Sequence, residues 1–424
     1  MSNDASAVDL DRCDFITDTA FVENPHPYYE HLRRKGPVLL TSQPGVVMVW
    51  GHDETVTLAR DPDTFSSYNA ATGPIVPLPF TPEGDDIREQ MEPHRAQMPF
   101  SQHLLTRDPP DHTPYRALIT RLFTPQRLRE NEAYMRVACD ELIDKFINRG
   151  TFEVRRDFSM PFTAGVITDL LGAPRDLRET FLRGWVRPGT IGHKAPPNPM
   201  AFMDEYFTSY IEERRRNPRG DVMSDLAQAT FPDGSLPTVT DLVRAATFLF
   251  AAGQDTTTHF IGLALRVLAE SPQLQQRLRD CPELIPEFVE EGLRFDGPTR
   301  CDFRLVKKTT ELGGVRLPAG TTIVLLLQAA NRDPRKFERP DEFDLDRTNK
   351  RDHVTFMRGP HTCIGAPLAR VEAHTAIKRL LARTSDIRVA EGHHGPSSAR
   401  RYAFDPVYTI RGLTELHLEL TPVG

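Results

Sequence analysis

The feature that most constrains this chain is a helical repeat of apolar residues along much of its length. The repeat has spacings of three and four, which place apolar side chains on one face of an α-helix, and it covers residues 112 to 148, 201 to 216, 239 to 270, 272 to 295 and 366 to 383. Shorter β-like runs, with Gly-Gly and Pro-Ala-Gly breaks typical of hairpin turns, lie at residues 46 to 50, 303 to 327 and 408 to 420. The pattern predicts a mainly α fold with a small β region.

The domain organisation follows from length and composition. The chain has 424 residues, of which 39% are hydrophobic and 26% charged, so it can bury a sizeable core. It contains no Gly/Ser linker, no low-complexity tract and no repeat of fixed period, so we predict one domain over residues 1 to 424. Two irregular stretches, 66 to 103 and 183 to 200, are candidates for a lid or mouth, or are surface connections only.

Charge and the N-terminal residues exclude several classes of function. The start of the chain is acidic, without the basic and apolar regions of a signal peptide. No stretch approaches the roughly 18 apolar residues of a membrane span. A net charge of -7 gives nucleic-acid binding no electrostatic support. We therefore expect a cytoplasmic monomer with no membrane span and no nucleic-acid partner.

The five cysteines are odd in number and never form a C-x-x-C pair, which argues against disulfides, structural zinc and iron-sulfur clusters. Cys363 differs from the others because a helical segment with Pro367 in its first turn follows it. A helix N-terminus stabilises a thiolate. Such a thiolate serves a cysteine nucleophile, for which no base is evident among 14 histidines, or the single axial bond to haem iron, which fits better.

The residues around Cys363 resemble a known family. The motif F-x-x-G-x-H-x-C-x-G is similar to the haem-binding loop of the cytochrome P-450 monooxygenases, and it consists here of Phe356, Gly359, His361, Cys363 and Gly365.

Three further signatures follow the order of that family, so the resemblance covers about residues 104 to 420. Met357 departs from the pattern, because the family usually has glycine there. The resemblance implies the cytochrome P-450 fold, a triangular helical prism with haem b buried between a long central helix and the cysteine-loop helix. It also implies Cys363 as the axial iron ligand.

The apolar segment 249 to 268 includes residues that are poor helix formers, among them Gly253, Asp255 and three threonines. Such a local conflict indicates a site. A bond from the Thr256 hydroxyl to the Ala252 carbonyl would open the helix ladder and leave a groove for dioxygen beside Ala252 and Gly253.

Asp255 and Thr256 match the acid-alcohol pair of the family, and the resemblance implies that they are catalytic and relay protons. The alternative is a core helix whose threonines satisfy their own backbone.

Haem propionates require cations or neutral donors. His112 and Arg116 are four residues apart and so share one helical face. The resemblance assigns both to the propionates, together with His361 and Arg304, and Arg300 remains a rival to Arg304. It also implies further cofactor contacts from Ala252, Phe356 and Gly365.

A third motif pairs opposite charges. Glu291 and Arg294 are three residues apart on a predicted helix. They resemble the buried E-x-x-R pair of the family, with Arg347 as third member, and this resemblance implies a structural role. A substrate pocket is implied at Met98, Phe100, Leu249, Ala252, Thr299 and Phe404. Its apolar lining suits a terpenoid, steroid, fatty-acid or alkyl-aromatic compound.

The chain has no flavin or iron-sulfur motif, so electrons from NAD(P)H would arrive through a separate ferredoxin and ferredoxin reductase. Basic residues near the cysteine loop form a docking patch or are ordinary solvated side chains: Arg121, Arg127, Arg129, Lys350, Arg351, Arg358, Lys378 and Arg379.

The sequence thus predicts a haem-thiolate monooxygenase that inserts one atom of dioxygen into a hydrophobic small molecule. One alternative is a peroxide-driven haem peroxygenase, a class that tends to lose the acid-alcohol pair. Another is a non-catalytic haem-thiolate sensor or carrier, although no output domain is evident.

Overall fold

The computed structural model describes Leu10, residues 13 to 173 and residues 200 to 423, and it is mainly helical as predicted. The α-helices of this part of the chain are α1 (Ala20–Glu23), α2 (His26–Arg33), α3 (His52–Arg60), α4 (Arg88–Met91), α5 (His112–Thr120), α6 (Pro125–Asp144), α7 (Met160–Leu170), α8 (Ala201–Arg216), α9 (Val222–Ala227), α10 (Val239–Ala269), α11 (Pro272–Asp280), α12 (Ile285–Asp296), α13 (Leu327–Ala330), α14 (Ala366–Arg383) and α15 (Glu391–His394).

The strands are short and lie in three small sheets. They are β1 (Val38–Leu40), β2 (Val46–Val49), β3 (Phe65–Ser66), β4 (Thr151–Glu153), β5 (Asp302–Val306), β6 (Thr310–Leu312), β7 (Val315–Leu317), β8 (Thr322–Leu325), β9 (Thr384–Val389) and β10 (His417–Pro422). The largest sheet has the order β1-β2-β8-β5-β3, with β2 and β8 parallel, while β4-β10-β9 and the β6-β7 hairpin form the others. Gly313 and Gly314 both have positive φ, as a two-residue hairpin turn requires.

Helix α10 lies in the middle of the helical core. Thr238 and Asp241 form a capping box at its start, and most of its 31 residues are buried. It contacts α7, α8 and α14. The helix continues without interruption past Thr256, so the predicted opening of its hydrogen-bond ladder is wrong.

Two predicted helical segments are each divided in the structure. The segment 112 to 148 breaks before Pro125, where the Thr124 side chain accepts a hydrogen bond from the amide of Arg127. The segment 272 to 295 breaks at Cys281 and resumes after a short 3₁₀ turn that begins at Pro282. Proline lacks the amide hydrogen that a helix interior needs, so both prolines start new helices.

The irregular stretches and the C-terminal run also differ from expectation. Residues 66 to 103 include α4 and a 3₁₀ helix, Glu92–Gln97, and residues 183 to 199 lie outside the described part of the chain. The predicted strand 408 to 420 forms only at its end, as β10. Among the described residues, no helix is both long and apolar enough to cross a membrane.

Candidate active site

The loop before α14 brings Cys363 to the N-terminus of that helix. The amide of Cys363 donates to the carbonyl of Phe356 at 2.8 Å and closes the loop. Gly359 has a φ of +71°, and a side chain there would collide with the carbonyl oxygen of Ala59. Glycine is therefore required at this position. Helix α14 begins at Ala366 with a proline in its first turn, as the sequence predicts.

Met357 has a φ of +56°, so it adopts the left-handed conformation that glycine favours. Its side chain is buried in an apolar cluster with Leu58 and Val354. The departure from the family motif therefore leaves the loop in the conformation that glycine would take. The side chain adds core packing, which offsets roughly 1–2 kcal/mol of backbone strain.

Replacing Met357 by glycine is expected to lower the free energy of unfolding by roughly 1–3 kcal/mol. Loss of a buried methionine side chain costs about 2–5 kcal/mol, which exceeds the strain that is relieved. Chemical denaturation measures the change. Met357→Ala keeps the strain but loses the packing and should be the less stable of the two variants; a glycine variant as stable as the parent protein would contradict this account.

The Cys363 sulfur lies deep among protein atoms, yet the residue is exposed to open space, which places it in the wall of an interior cleft. Burial raises the pKa of the thiol, and hydrogen bonds from the amides of Gly365 and Ala366 oppose that shift. The positive charge of Arg116 also lowers the pKa of the thiol. These groups can stabilise a thiolate at the helix N-terminus.

Helix α10 is open along a narrow strip. Ala252 is exposed and Gly253 and Thr256 are half-exposed, whereas Ala251, Asp255 and Thr257 are buried. The Thr256 hydroxyl donates to the carbonyl of Ala252 at 2.9 Å. Gly253 does not widen the groove, because a Cβ there would lie 3.1 Å from Ile167 of α7. The strip therefore consists of a small side chain followed by a hydroxyl one turn later.

Asp255 is buried beside this strip. Its Oδ1 lies 3.5 Å from Nε2 of His259, one turn further along α10. The structure therefore places Asp255 and Thr256 at adjacent positions, with only the threonine half-exposed. His259 was not among the residues that sequence reasoning selected, and its spacing of four from Asp255 is the signal that could have found it.

Two histidines and two arginines meet beside the cysteine loop. The rings of His112 and His361 are 4.4 Å apart, and Nε2 of each has no hydrogen-bond partner in the described part of the chain. Burial lowers the pKa of His361 to about 2, with Arg304 next in effect. Arg116 donates to the carbonyl of Thr362 at 2.7 Å. The cluster can therefore donate to an anion.

The positions of the two candidate arginines distinguish them. Arg304 is buried and donates to Asp302 at 3.0 Å, and its positive charge lowers the pKa of His361. Arg300 is also buried, but its guanidinium stacks on the ring of Phe15 at 3.9 Å and donates to the carbonyl of that residue. Arg304 therefore belongs to the histidine cluster, and Arg300 anchors the N-terminal segment.

Glu291, Arg294 and Arg347 form one buried network. Arg294 binds Glu291 through two hydrogen bonds of 2.7 and 2.8 Å, and Nε of Arg347 donates to Glu291 at 3.1 Å. The two guanidinium groups also donate to main-chain carbonyls: those of Asn331, Glu338, Arg339, Pro340 and Glu342. The three side chains hold this segment of the chain in place.

The predicted pocket residues fall into different surroundings. Met98, Phe100 and Leu249 are buried, and Ala252 lies on the open strip of α10. Thr299 pairs with Ile410 in an isolated β-bridge.

The predicted place of Phe404 in the substrate pocket is corrected by the structure. Phe404 lies under the guanidinium of Arg411 at 3.8 Å and lines a charged depression with Arg266 and Asp296. The segment folds into a hairpin with Phe404 opposite Leu413, so Ile410, and not Phe404, reaches Thr299.

Sequence reasoning did not select a second buried carboxyl group, that of Glu372. Glu372 of α14 is fully buried, contacts the Thr257 side chain of α10, and has one oxygen without a hydrogen-bond partner among the described residues. Burial raises its pKa well above the usual range. The contact shows that α14 and α10 are packed together next to Thr256.

Comparison with known proteins decides the family. The family model described as Cytochrome P450 matches residues 191 to 280 and 283 to 385. Cytochrome P450 144 of Mycobacterium tuberculosis (strain ATCC 25618 / H37Rv) is 33% identical over 378 residues, which cover 87% of this chain and 85% of that protein. The chain belongs to the cytochrome P450 family. The resemblance found in the sequence is therefore confirmed.

Two other cytochromes P450 support the fold and the activity. Cytochrome P450 monooxygenase PikC of Streptomyces venezuelae is 31% identical, with 87% of this chain and 85% of that protein covered. The substrate-free structure of Mycobacterium marinum cytochrome P450 CYP150A6 matches at 47% identity with a TM-score of 0.92, over 98% of this chain and 100% of that one. The predicted cytochrome P450 fold is confirmed. The chain is a monooxygenase, hence an oxidoreductase, of a family that uses haem and dioxygen.

The residues of the cleft fit haem. Its iron takes one thiolate, and Cys363 presents a sulfur at a helix N-terminus in the wall of the cleft. Its two propionates are anions, and the unpartnered nitrogens of His112 and His361 lie beside Arg116 and Arg304. The donor set thus matches the charge and the ligand requirement of the group.

Proposed function

We propose that this monooxygenase inserts one atom of dioxygen into a hydrophobic small molecule of the terpenoid, steroid, fatty-acid or alkyl-aromatic class, with electrons from a separate ferredoxin and reductase. The observation that carries the proposal is the pairing of an accessible cysteine at the start of α14 with the open strip of α10. The presence of Asp255 and Thr256 favours a monooxygenase over a peroxide-driven peroxygenase or a non-catalytic carrier.

Cofactor binding would use five side chains. Cys363 would hold the iron through its thiolate, while His112, Arg116, Arg304 and His361 would donate to the propionates. When bound, haem supplies the oxygen activation and the two-electron redox chemistry. Ala252, Phe356 and Gly365 would line the faces of the group.

Two residues of α10, Asp255 and Thr256, would deliver protons. The Thr256 hydroxyl donates to the Ala252 carbonyl, so its lone pairs are free to accept a hydrogen bond in the cleft. Asp255, one residue before it and buried, would hold the proton that passes to the hydroxyl. Such a relay supplies protons where bulk water is excluded.

Substrate binding would rest mainly on burial. Met98, Phe100 and Leu249 are buried apolar residues that would line the pocket. Thr299 would add one hydroxyl. Apolar walls with few polar groups suit a hydrophobic ligand and keep water out. We include Ile410 in this lining because it pairs with Thr299.

The proposed ferredoxin surface is smaller than the sequence suggested. Four of the eight basic residues have carboxylate partners: Arg127 with Asp225, Lys350 and Arg351 with Glu287, and Arg379 with Asp140. Arg358 donates to carbonyls of the preceding loop. Arg121, Arg129 and Lys378 have no carboxylate partner among the described residues, so they carry the proposed docking charge.

The test is oxygen incorporation. Hydrophobic compounds that shift the haem spectrum would be incubated with the holoenzyme, a ferredoxin, its reductase, NAD(P)H and isotopically labelled dioxygen. We expect one labelled oxygen atom per product molecule by mass spectrometry. Labelled product from peroxide alone but not from dioxygen would favour the peroxygenase, and binding without any product would favour the carrier.

A further inference from the structure

A histidine lies between two carboxylates on the side of α10 that faces the C-terminal hairpin. Nε2 of His259 is 3.5 Å from Oδ1 of Asp255 and 3.6 Å from Oδ2 of Asp405. The two acids are 150 positions apart in the chain, and one ring nitrogen faces both. A small shift of the ring would form a hydrogen bond to either acid.

The packing of the ring explains why this nitrogen faces the acids. A side chain at Gly412 would overlap the other edge of the imidazole at Nδ1, so the absence of a Cβ there creates the space for His259. The amide of Asp405 donates to the carbonyl of Gly412 at 2.9 Å. The same hairpin therefore positions both the ring and the second carboxylate.

Side-chain exposure rises from His259 outwards, through Asp405 to Arg155. His259 is 2% exposed and Asp255 7%, whereas Asp405 is 12% exposed and Arg155, which binds Asp405 at 3.0 Å, is 23% exposed. This row of side chains therefore runs from the interior to the protein surface. The carboxylate of Glu153, two residues before Arg155, accepts hydrogen bonds from the amides of Arg155, Arg156 and Leu416.

A small cavity adjoins the histidine. It offers about 10 Å³ to the centre of a water molecule, close to the minimum for one water, and its wall includes Arg155, Ser159, Thr258 and His259. The Ser159 hydroxyl is buried with no hydrogen-bond partner among the described residues. Ser159 ends a π-helix, Val154–Ser159, and such segments are rare and frequently occur at functional sites.

We propose that His259 and Asp405 return protons from the surface to Asp255. This inference rests on the proposed function, in which Asp255 supplies Thr256. Protonated Asp405 gives its proton to the lone pair of Nε2, directly or through a cavity water that takes up one proton as it releases another, and the resulting imidazolium gives a proton to the Asp255 carboxylate. The O–H bond of Asp405 breaks and an O–H bond forms on Asp255. One N–H bond forms and then breaks, and no electrons are transferred. Histidine is suited to this role because it readily exchanges protons near neutral pH.

The first test measures coupling in the holoenzyme. His259→Gln keeps a polar group near both acids, but an amide cannot accept and release a proton as an imidazole does. We expect at least about a fivefold fall in product formed per NAD(P)H and a larger solvent deuterium isotope effect, since a positioned proton transfer contributes roughly 10²–10⁴-fold. His31→Gln, on α2, is the control and should change neither quantity.

The acid on the surface side provides the second test. Asp405→Asn should lower coupling as His259→Gln does, and Asp405→Glu should restore it, because glutamate keeps the exchangeable proton. A purely structural role would make both variants equally defective. Asp386→Asn, which removes a surface carboxylate that is also bound to an arginine, is the matched control.

A readout without turnover uses ring ¹⁵N NMR of the reduced, carbon-monoxide-bound holoenzyme. The His259 resonances, identified by their loss in His259→Gln, should shift in Asp405→Asn and stay unchanged in Asp386→Asn. No shift in Asp405→Asn would overturn the proposal. Full coupling in His259→Gln would also overturn it, and if Asp255→Asn and Thr256→Ala still uncoupled the enzyme, the proposed function itself would stand.

Discussion

Replacing Cys363 by alanine is expected to remove the red-displaced Soret band that the reduced protein shows with carbon monoxide, and to abolish substrate oxidation. The band reports a thiolate bond to haem iron, and Cys363 is the cysteine of the described chain that opens into the cleft. Electronic absorption of dithionite-reduced, carbon-monoxide-treated protein measures the effect. This is the largest change that we expect from a single substitution.

Cys139→Ala is the matched control, because that thiol is buried in α6 and its pKa is raised by burial. It should keep the band and the activity. A band of unchanged position and height in Cys363→Ala would refute the assignment of the ligand and, with it, the proposed function.

Replacing Thr256 by alanine is expected to separate electron consumption from product formation. The hydroxyl is the exposed polar group that follows Ala252 on the open strip, and its loss removes the last donor of the relay. Product formed per NAD(P)H should fall about tenfold or more, with peroxide released instead, since proton transfer by a positioned group contributes roughly 10²–10⁴-fold. Peroxide and product are quantified in the same reaction.

Thr247→Ala is a close control for this variant. Thr247 is on the same helix and its hydroxyl makes the same bond to the carbonyl four residues back, at 2.9 Å, but it is fully buried. Its loss should affect stability and not coupling. Thr256→Ser should retain most of the coupling, and a fully coupled Thr256→Ala would remove threonine from the relay.

Local motifs made much of the site predictable from sequence. The residues around Cys363 lie within ten positions, and Glu291 and Arg294 within one helical turn, so their spacing alone indicates how they meet. The main helices were predictable for the same reason. Their ends were less so at Pro125 and Pro282, where a proline starts a new helix within an unbroken apolar repeat.

Contacts between distant segments were not predictable. The hairpin that pairs Phe404 with Leu413 decides which residue reaches Thr299, and no periodic pattern in the sequence specifies that register. The meeting of His259 with Asp405 depends on the same hairpin. The positive φ of Met357 could not be predicted from the sequence either, because most residues other than glycine avoid that conformation.

The segment from Asn331 to Glu342 contains no strand and no helix. Several of its carbonyl groups accept hydrogen bonds from the guanidinium groups of Arg294 and Arg347. Its shape is therefore set by side chains from elsewhere in the chain. Lysine has a single ammonium group and cannot reproduce that planar set of donors. Chimeras that exchange this segment between relatives should consequently transfer both arginines with it. Without them, the segment will lose the hydrogen bonds that hold it against α12.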